Sequence, residues 1–454
     1  MAADILVSLF QNGSLRVVRV KKKSREGVVV KLKGEFCKEG KDNYIHQMIS
    51  FSFQGKQFLA ICRKVGLIQL YENHGNSITG GKSFKLYKEW KNSTLGAQDP
   101  IKCIGFINDQ YLYSCSSEGK LVFRDLINDD ADNSFRVFLI HKPVSKVDMQ
   151  VMDDGKILVA SSGNNNELKI YEVDMNSEDK KNRCVHSLEN YYKLPVIGGV
   201  QAENRAIVQT FTARPDRFGL RRRMTSVNLN ALKDKYIQSL VPVWVSSTAS
   251  KTSSYHGVLG DSMCSWIVSI CIVPGNPNLI ICGSQFGTIV IYDTKKDSYP
   301  FNVLQVSQFP ICTLKLMNSG RYLFYTDSMS RAGVIKLSQF TVVSEYVNLK
   351  FGPLAACDVV ANDAAAARKT TDTSSVAMFD PVYCFCSTID NRLLIYRFCD
   401  DSSATLLVHI RSNSFISCLN TSINQCPYGA FALLFGSTGP KDSLPCPSVK
   451  RKSL

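Results

Sequence analysis

Hydrophobic residues in this chain fall into short runs that are separated by a few turn-forming residues. The clearest example is 279–294, where LIIC is followed by GSQFG and then by TIVIYD. Two runs rich in β-branched and aromatic residues, parted by a break that contains glycine, predict a β-hairpin. The first run does not alternate between apolar and polar positions, so we expect its strand to be covered on both faces.

The same hairpin pattern recurs along most of the chain. Gly13, Gly66 and Gly119 mark the breaks of the first three copies, at equal intervals of about 50 residues. One hairpin per interval, with room for two further strands, is typical of a β-propeller. Seven copies predict an all-β, seven-bladed propeller of the WD40 type, with degenerate repeats because no Trp-Asp dipeptide occurs. The copies lie at 5–20, 58–71, 111–125, 157–174, 279–294, 322–337 and 383–398.

The spread of the repeats predicts one closed propeller over residues 1–435, because each blade buries its faces only against its neighbours. Two late strands, 404–410 and 415–419, are expected to pair with the N-terminal blade and close the ring. Residues 436–454 are rich in Gly, Pro, Ser and Lys and predict a flexible basic tail. Loop insertions are expected at 205–225, 246–260 and 361–375; a weak repeat at 206–229 is interpreted as insertion rather than blade.

Composition favours a soluble, intracellular protein that binds acidic partners. The 454 residues carry a net charge of +15 and are 44% hydrophobic. No apolar run reaches the ~18 residues of a membrane-spanning helix, and the first residues lack the basic region of a signal peptide. A strongly basic balance on a scaffold favours contact with nucleic acid or an acidic protein.

Neither a metal nor a cofactor is predicted. The 16 cysteines are scattered without a CxxC motif, and Cys384 and Cys386 form the tightest pair. We interpret them as small hydrophobic residues in a reducing compartment. The six histidines are not spaced as metal ligands.

The sequence also predicts that the protein is not an enzyme and has no small-molecule substrate. It contains no phosphate-binding GxxxxGK[ST] loop, no GxSxG and no HExxH. Adjacent carboxylates at 129–130 and 153–154 lie in predicted turns, where neighbouring side chains point apart and do not form an acid–base pair.

Two basic clusters are candidate sites for RNA or protein partners. Five arginines with an interleaved aromatic, between the fourth and fifth hairpins, suit phosphate contact and base stacking. A solvated loop is the alternative interpretation of this segment. A second cluster follows the first hairpin. These candidates are Arg214, Arg217, Phe218, Arg221, Arg222 and Arg223, and Lys21, Lys22 and Lys23.

Asp327 and Arg331 are further candidates for partner binding, because they flank a hairpin loop where propellers present such side chains. The alternative for Asp327 is a carboxylate that caps its own turn. Trp244, in the segment VPVW, is expected to pack between blades rather than to face a partner.

Several segments in a fixed order point to one family. They are LVS at 6–8 with GSL at 13–15, NELKIY at 166–171, VPVW at 241–244, CGSQFGTIVIYD at 282–293, DNRLLIY at 390–396 and the region 408–418. With them the chain resembles, over residues 5–420, the eukaryotic WD-repeat ribosome-assembly factors of the Nop-seven-associated type. The VPVW segment before the fifth hairpin is the most specific feature.

The resemblance implies a non-enzymatic scaffold on nucleolar precursors of the large ribosomal subunit, the pre-60S particles. It implies assembly factors as partners, ribosomal RNA as a candidate partner, and release by an AAA-type ATPase. It also implies nuclear and nucleolar localisation, for which Lys450, Arg451 and Lys452 of the tail are the candidate signal. The long arginine-bearing segment before Val241 and the short tail depart from the family pattern.

A cytosolic adaptor propeller is the alternative function. Such a protein would present substrates to a ubiquitin ligase or bind a membrane phosphoinositide. A phosphoinositide-binding propeller is expected to carry paired arginines on a blade strand, whereas the arginines here lie between hairpins.

Overall fold

The structure is a computed structural model that describes residues 2–421 with internal gaps. The gaps fall at 24–26, 41–42, 65, 75–83, 92–99, 128–134, 164–165, 176–236, 248–265, 330, 348, 350–351, 362–378 and 413. The predicted insertions at 205–225, 246–260 and 361–375 therefore lie wholly or largely outside the described residues, as does the tail at 436–454. No helix in the described part is long and apolar enough to cross a membrane.

The described residues form seven β-sheets, and each sheet is one blade. Blade 1 consists of β29 (Ile416–Asn420), β1 (Ala2–Leu9), β2 (Ser14–Lys23) and β3 (Gly27–Phe36). Blade 2 consists of β4 (Ile45–Phe53), β5 (Lys56–Arg63), β6 (Leu67–Asn73) and β7 (Phe84–Lys91). Blade 3 consists of β8 (Ile101–Ile107), β9 (Tyr111–Ser116), β10 (Lys120–Asp125), β11 (Phe135–Leu139) and β15 (Ile237–Ser239).

The other four blades follow in chain order. Blade 4 consists of β12 (Lys146–Val151), β13 (Ile157–Gly163), β14 (Asn166–Val173) and β16 (Trp244–Val245). Blade 5 consists of β17 (Ile267–Val273), β18 (Asn276–Ser284), β19 (Thr288–Asp293) and β20 (Asn302–Gln305). Blade 6 consists of β21 (Ile311–Met317), β22 (Tyr322–Asp327), β23 (Ala332–Lys336) and β24 (Thr341–Tyr346). Blade 7 consists of β25 (Leu354–Val360), β26 (Val382–Thr388), β27 (Arg392–Phe398) and β28 (Ala404–Arg411).

The innermost strands of the seven blades form a closed ring. β29, β4, β8, β12, β17, β21 and β25 contact one another in that order, and β25 contacts β29 again. β29 follows the last complete blade in sequence and pairs with β1, so one blade is built from both ends of the described chain. This pairing leaves no strand edge open toward the ring. The other late strand, expected at 404–410, is β28 and pairs with β27 of blade 7, so its expected pairing with the N-terminal blade is wrong. The structure confirms the predicted seven-bladed propeller, and every predicted hairpin forms the second and third strands of a blade, counted from the innermost strand.

The hydrophobic core is divided into seven clusters, and each cluster fills the space between two neighbouring blades. Strand β18 shows why its sequence does not alternate. Ile280 and Cys282 pack toward blade 4, whereas Ile281 packs toward blade 6. Burying one such aliphatic side chain stabilises the fold by roughly 1.5–3 kcal/mol. Strands of this kind are stable only when both neighbouring blades are in place.

Buried carboxylates connect neighbouring blades close to the ring. Asp148 Oδ2 on β12 accepts a hydrogen bond of 2.7 Å from the Ile272 amide on β17. Asp358 Oδ2 on β25 accepts bonds of 2.8 and 2.7 Å from the amide and hydroxyl of Thr421, next to β29. Burial raises the pKa of both carboxyl groups. The hydrogen bonds between Thr421 and Asp358 hold the closing strand β29 against blade 7.

The long interval between the fourth and fifth hairpins contributes strands to two blades. β15 adds a fifth strand to blade 3 and pairs with β11 in parallel, and β16 completes blade 4 by pairing with β14. Trp244 on β16 contacts Tyr292 of blade 5, with ring centroids 5.6 Å apart. The expected packing of Trp244 between blades is confirmed, and the interval is an insertion within blade 4.

Candidate partner-binding face

One end of the propeller carries the loops of the seven predicted hairpins. The first residue after the second strand of a blade donates a backbone hydrogen bond to the segment that enters the innermost strand. These bonds hold hairpin loops and inter-blade connections at the same end, which we call the hairpin face. The donor–acceptor pairs are Phe10–Phe415, Lys64–Tyr44, Ser117–Pro100, Gln285–Trp266, Ser328–Pro310 and Ile389–Pro353, at 2.8–3.0 Å.

A side-chain cap recurs at the start of these loops. Ser284 Oγ accepts hydrogen bonds of 3.1 Å from the amides of Phe286 and Thr288. Gly287 in the same loop has a φ of +77°, and a Cβ there would lie 2.1 Å from the Ser307 carbonyl oxygen. The close approach explains why the repeat carries glycine at this position. The hydroxyl oxygens of Ser116 and Thr388 likewise each accept a hydrogen bond from the amide four residues later, at 3.1 and 3.2 Å.

Asp327 occupies the same capping position in blade 6. It is 0% exposed, and its Oδ1 accepts hydrogen bonds of 2.9 Å from the amides of Met329 and Arg331. Its Oδ2 accepts a hydrogen bond of 2.6 Å from Ser307 Oγ. This geometry matches the turn-capping alternative, because a buried carboxylate with three donors has no surface to offer a partner. Arg331 lies in the same loop and is exposed on the hairpin face.

Arg63 takes the capping position in blade 2 and is buried, with 1% of its surface exposed. It extends from the end of β5 into the junction between blades 1 and 2, and an ion pair of 3.4 Å joins its Nε to Glu39 Oε2. It therefore holds the blade 1 hairpin loop and the connection between blades 1 and 2 from beneath the hairpin face. Its guanidinium donates hydrogen bonds to Gly13 O at 2.8 Å, Asn43 O at 2.9 Å, Cys37 O at 2.7 Å and Gln69 Oε1 at 2.8 Å.

The mouth of the central ring on the hairpin face has two chemically different sides. Six innermost strands have a register shift near their first residue. Each shift leaves one residue without a cross-strand partner, and such an irregularity changes the direction in which the side chain points. Blades 2 and 3 place a histidine and a lysine there, and blades 5 to 7 place apolar or thiol side chains. The residues are His46, Lys102, Val268, Cys312, Ala355 and, in blade 1, Ser417.

The basic side of the mouth is dominated by lysine. Burial and then the charge of Lys102 lower the pKa of His46, so its imidazole is neutral at neutral pH. Lys64 stacks over the Tyr44 ring at 5.7 Å, and Phe10 contacts the same ring at 4.5 Å. Lysines next to half-buried aromatic rings suit an acidic partner or a nucleic acid.

The other side of the hairpin face exposes apolar side chains. Phe309, Val347 and Ile389 are 41%, 50% and 59% exposed, and they lie in connections or loops of blades 5 to 7. We call these three residues the apolar crescent. Trp266 and Phe286 contact each other edge-on at 6.3 Å in the blade 5 part of the same face. Apolar residues grouped at one end of a protein are typical of a protein-binding surface.

The lysines predicted after the first hairpin lie away from this face. Lys21 lies near the end of β2, opposite the hairpin loop of blade 1, and the backbones of Lys22 and Lys23 continue the same strand. The arginine segment (Arg214, Arg217, Phe218, Arg221, Arg222, Arg223) and the tail residues (Lys450, Arg451, Lys452) lie outside the described residues.

Three cysteines meet between blades 6 and 7. Cys384 and Cys386 lie two residues apart on β26, and Cys357 on β25 is the cross-strand partner of Cys386. The Sγ–Sγ distances are 3.4 Å (Cys357–Cys384), 3.9 Å (Cys357–Cys386) and 3.3 Å (Cys384–Cys386). In the described part of the chain they form the single group of three side chains with metal-ligating atoms this close together.

Sequence reasoning missed both Arg63 and this cysteine group. The arginine breaks an otherwise apolar strand, FLAICR, which was the available signal. The third cysteine lies 27 residues before Cys384, far outside the short spacings within zinc-ligand pairs.

No protein-family model matches the sequence, and no curated protein matches it. Among solved structures, the β-propeller domain of Cps50 (Swd1) from Myceliophteria thermophila is similar, with 12% identity and a TM-score of 0.46, over 80% of this chain and 89% of that one. Sqt1 from Chaetomium thermophilum, bound to the N-terminus of the ribosomal protein L10, has 12% identity and a TM-score of 0.48, over 87% and 78% of the two chains. The strand order and the closed ring define the class of this chain, a seven-bladed β-propeller.

Proposed function

We propose that the protein is a non-enzymatic scaffold in the assembly of the large ribosomal subunit, and that its hairpin face binds an assembly factor. The observation that carries this proposal is the two-sided hairpin face, with lysines and aromatic rings on blades 2 and 3 and the apolar crescent on blades 5 to 7. A protein segment with acidic and apolar residues suits both sides at once. The net charge of +15 favours assembly on an RNA-rich particle.

Affinity purification from cells, with wild type and face variants, tests this proposal. Val347→Glu with Ile389→Glu places two charges in the apolar crescent without touching the core. Ile127→Glu is the matched control, because Ile127 is 53% exposed but follows β10 at the opposite end of the propeller. We expect wild type and the control to retain assembly factors and large-subunit precursor RNA, and the double variant to lose them.

Two results would contradict the proposal. Equal recovery of precursor RNA with the double variant would show that the hairpin face is not the binding surface. Recovery of ubiquitin-ligase subunits without precursor RNA would favour the adaptor function instead.

The proposal includes direct RNA contact by the arginine segment. Guanidinium groups form paired hydrogen bonds with phosphate oxygens, so changing Arg221, Arg222 and Arg223 to Ala should weaken RNA binding and reduce its salt dependence. Binding is measured at two salt concentrations. If RNA affinity and its salt dependence are unchanged, the arginine segment does not contact RNA, and only the protein contacts of the proposal remain.

Nuclear and nucleolar localisation is also part of the proposal, with Lys450, Arg451 and Lys452 as the signal. A chain that ends at Ser437 should fold normally and lose nucleolar accumulation in fluorescence microscopy. Full nucleolar accumulation of the shortened chain would exclude the tail as the signal. Release by an AAA-type ATPase is proposed on the family resemblance alone.

A further inference from the structure

We propose that Cys357, Cys384 and Cys386 bind one zinc ion between blades 6 and 7. The three thiols lie on one face of the blade 7 sheet, because residues two apart on β26 share a face and Cys357 pairs across to Cys386. No backbone movement is needed to bring them together. The site is independent of the hairpin face and of the proposed scaffold function.

The spacing of the sulfur atoms fits zinc. The three Sγ–Sγ distances of 3.4, 3.9 and 3.3 Å compare with roughly 3.8 Å between sulfurs in a tetrahedral site with Zn–S bonds of about 2.3 Å. The sulfurs are the softest ligands that a protein offers, which excludes magnesium and calcium from such a site. Small outward movements of the thiols therefore suffice to hold the ion.

Zinc would displace the protons of the three thiols, because the thiolate is the ligating form.

The surroundings allow an ion to enter and to complete its coordination. Cys384 and Cys386 are 0% exposed, but Cys357 is half-buried on β25, an innermost strand that borders the central ring. Thr326 of blade 6 places its Oγ1 4.0 Å from Cys357 Sγ. A water molecule held by this hydroxyl would supply the fourth ligand. A zinc ion here would tie β25 to β26 next to the closing strand.

Metal titration of the full-length, reduced protein tests the site. Zn²⁺ is added against a coloured competing chelator, and Co²⁺ is added separately to observe the charge-transfer absorption of thiolate-bound cobalt. Cys384→Ala removes one ligand. Cys282→Ala is the matched control, because Cys282 is also 0% exposed on the second strand of its blade but lies outside the cluster.

We expect one zinc per chain in wild type and in Cys282→Ala, and a thiolate–cobalt spectrum in both. Binding in Cys384→Ala should weaken by more than about 100-fold, since outer-shell changes alone cost 10–100-fold. Zinc should also raise the melting temperature of wild type but not of Cys384→Ala. The wild-type spectrum tests the site even where the variant does not fold.

Three results would overturn the proposal. They are the absence of stoichiometric zinc in folded, reduced wild type, undiminished zinc binding by Cys384→Ala, and binding of Cu⁺ at the cluster without binding of Zn²⁺. The last result would assign the site to copper.

Discussion

Replacing Arg63 by Ala should destabilise the propeller more than any other single change on the hairpin face. The side chain is 0% exposed, and its guanidinium donates four hydrogen bonds of 2.7–2.9 Å. Three of the acceptors are backbone carbonyls, and they belong to the blade 1 hairpin loop and to the connection between blades 1 and 2. The substitution leaves all of these acceptors without their donor.

The expected cost follows from the number of acceptors that lose a partner. Gln69 Oε1 keeps the Tyr71 hydroxyl as a second donor, and a buried acceptor left unsatisfied costs about 1–3 kcal/mol, so the three carbonyls give an upper bound of roughly 3–9 kcal/mol. The Glu39 carboxylate is 30% exposed and is solvated when the arginine is removed, so the ion pair adds little to this cost. We therefore expect about 4 kcal/mol for Arg63→Ala, against a total stability of about 5–15 kcal/mol. Arg63→Lys keeps the charge but loses the planar fork, and should cost about half as much.

The free energy of unfolding is measured by urea denaturation, which is monitored by circular dichroism. Arg392→Ala is the matched control, because Arg392 forms an ion pair with Asp390 at 2.5 Å while its side chain is 44% exposed. An exposed pair of this kind contributes about 0–1 kcal/mol. The loss in the free energy of unfolding should be smallest for Arg392→Ala, larger for Arg63→Lys and largest for Arg63→Ala.

A loss below about 1 kcal/mol for Arg63→Ala would refute this reasoning. It would mean that the carbonyls find water as readily as they find the guanidinium. The junction between blades 1 and 2 would then not depend on the arginine.

Three further predictions concern turns and closure. Asp327→Ala should cost about 2–4 kcal/mol because three donors lose their acceptor, whereas exposed Arg331→Ala should stay within about 0.5 kcal/mol; equal losses in thermal unfolding would contradict the capping role. Gly287→Ala should cost more than Gly275→Ala in the same assay, since both have positive φ but a Cβ at Gly275 meets nothing within 4 Å. Burial raises the pKa of Asp358, so the folded state holds this proton more tightly than the unfolded state. Its contribution to stability therefore falls as pH rises from the ordinary Asp range through the raised value, and Asp358→Asn should remove that part of the slope in urea unfolding at several pH values.

The repeat architecture was predictable from the sequence because its signals are local. Each hairpin combines two apolar runs with a turn, and such a pattern specifies its own strand pairing within about 16 residues. The absence of alternation in 279–282 indicated burial on both faces, and the structure shows those residues packed against two different blades. The strand at 415–419 was predictable as a closing strand because it follows the last complete hairpin.

Only the tertiary structure decided which strands complete blades 3 and 4. β15 has three residues and β16 has two, and each pairs with a strand many residues earlier in the chain. Segments this short carry almost no pattern of their own. Their pairing is determined by the edges that the finished blades present, which are tertiary features.

The same reason explains why sequence reasoning did not find the buried arginine and the cysteine group. Arginine is usually a surface residue, but Arg63 is buried because the fold brings carbonyl groups of the blade 1 hairpin loop and of the connection between blades 1 and 2 around it. Cys357 and Cys384 are distant in sequence, and antiparallel pairing of β25 with β26 brings their sulfurs to 3.4 Å. The sequence alone determined the repeating hairpins, since their contacts are local. The buried network and the cysteine cluster depend on contacts between distant segments, which exist only in the folded ring.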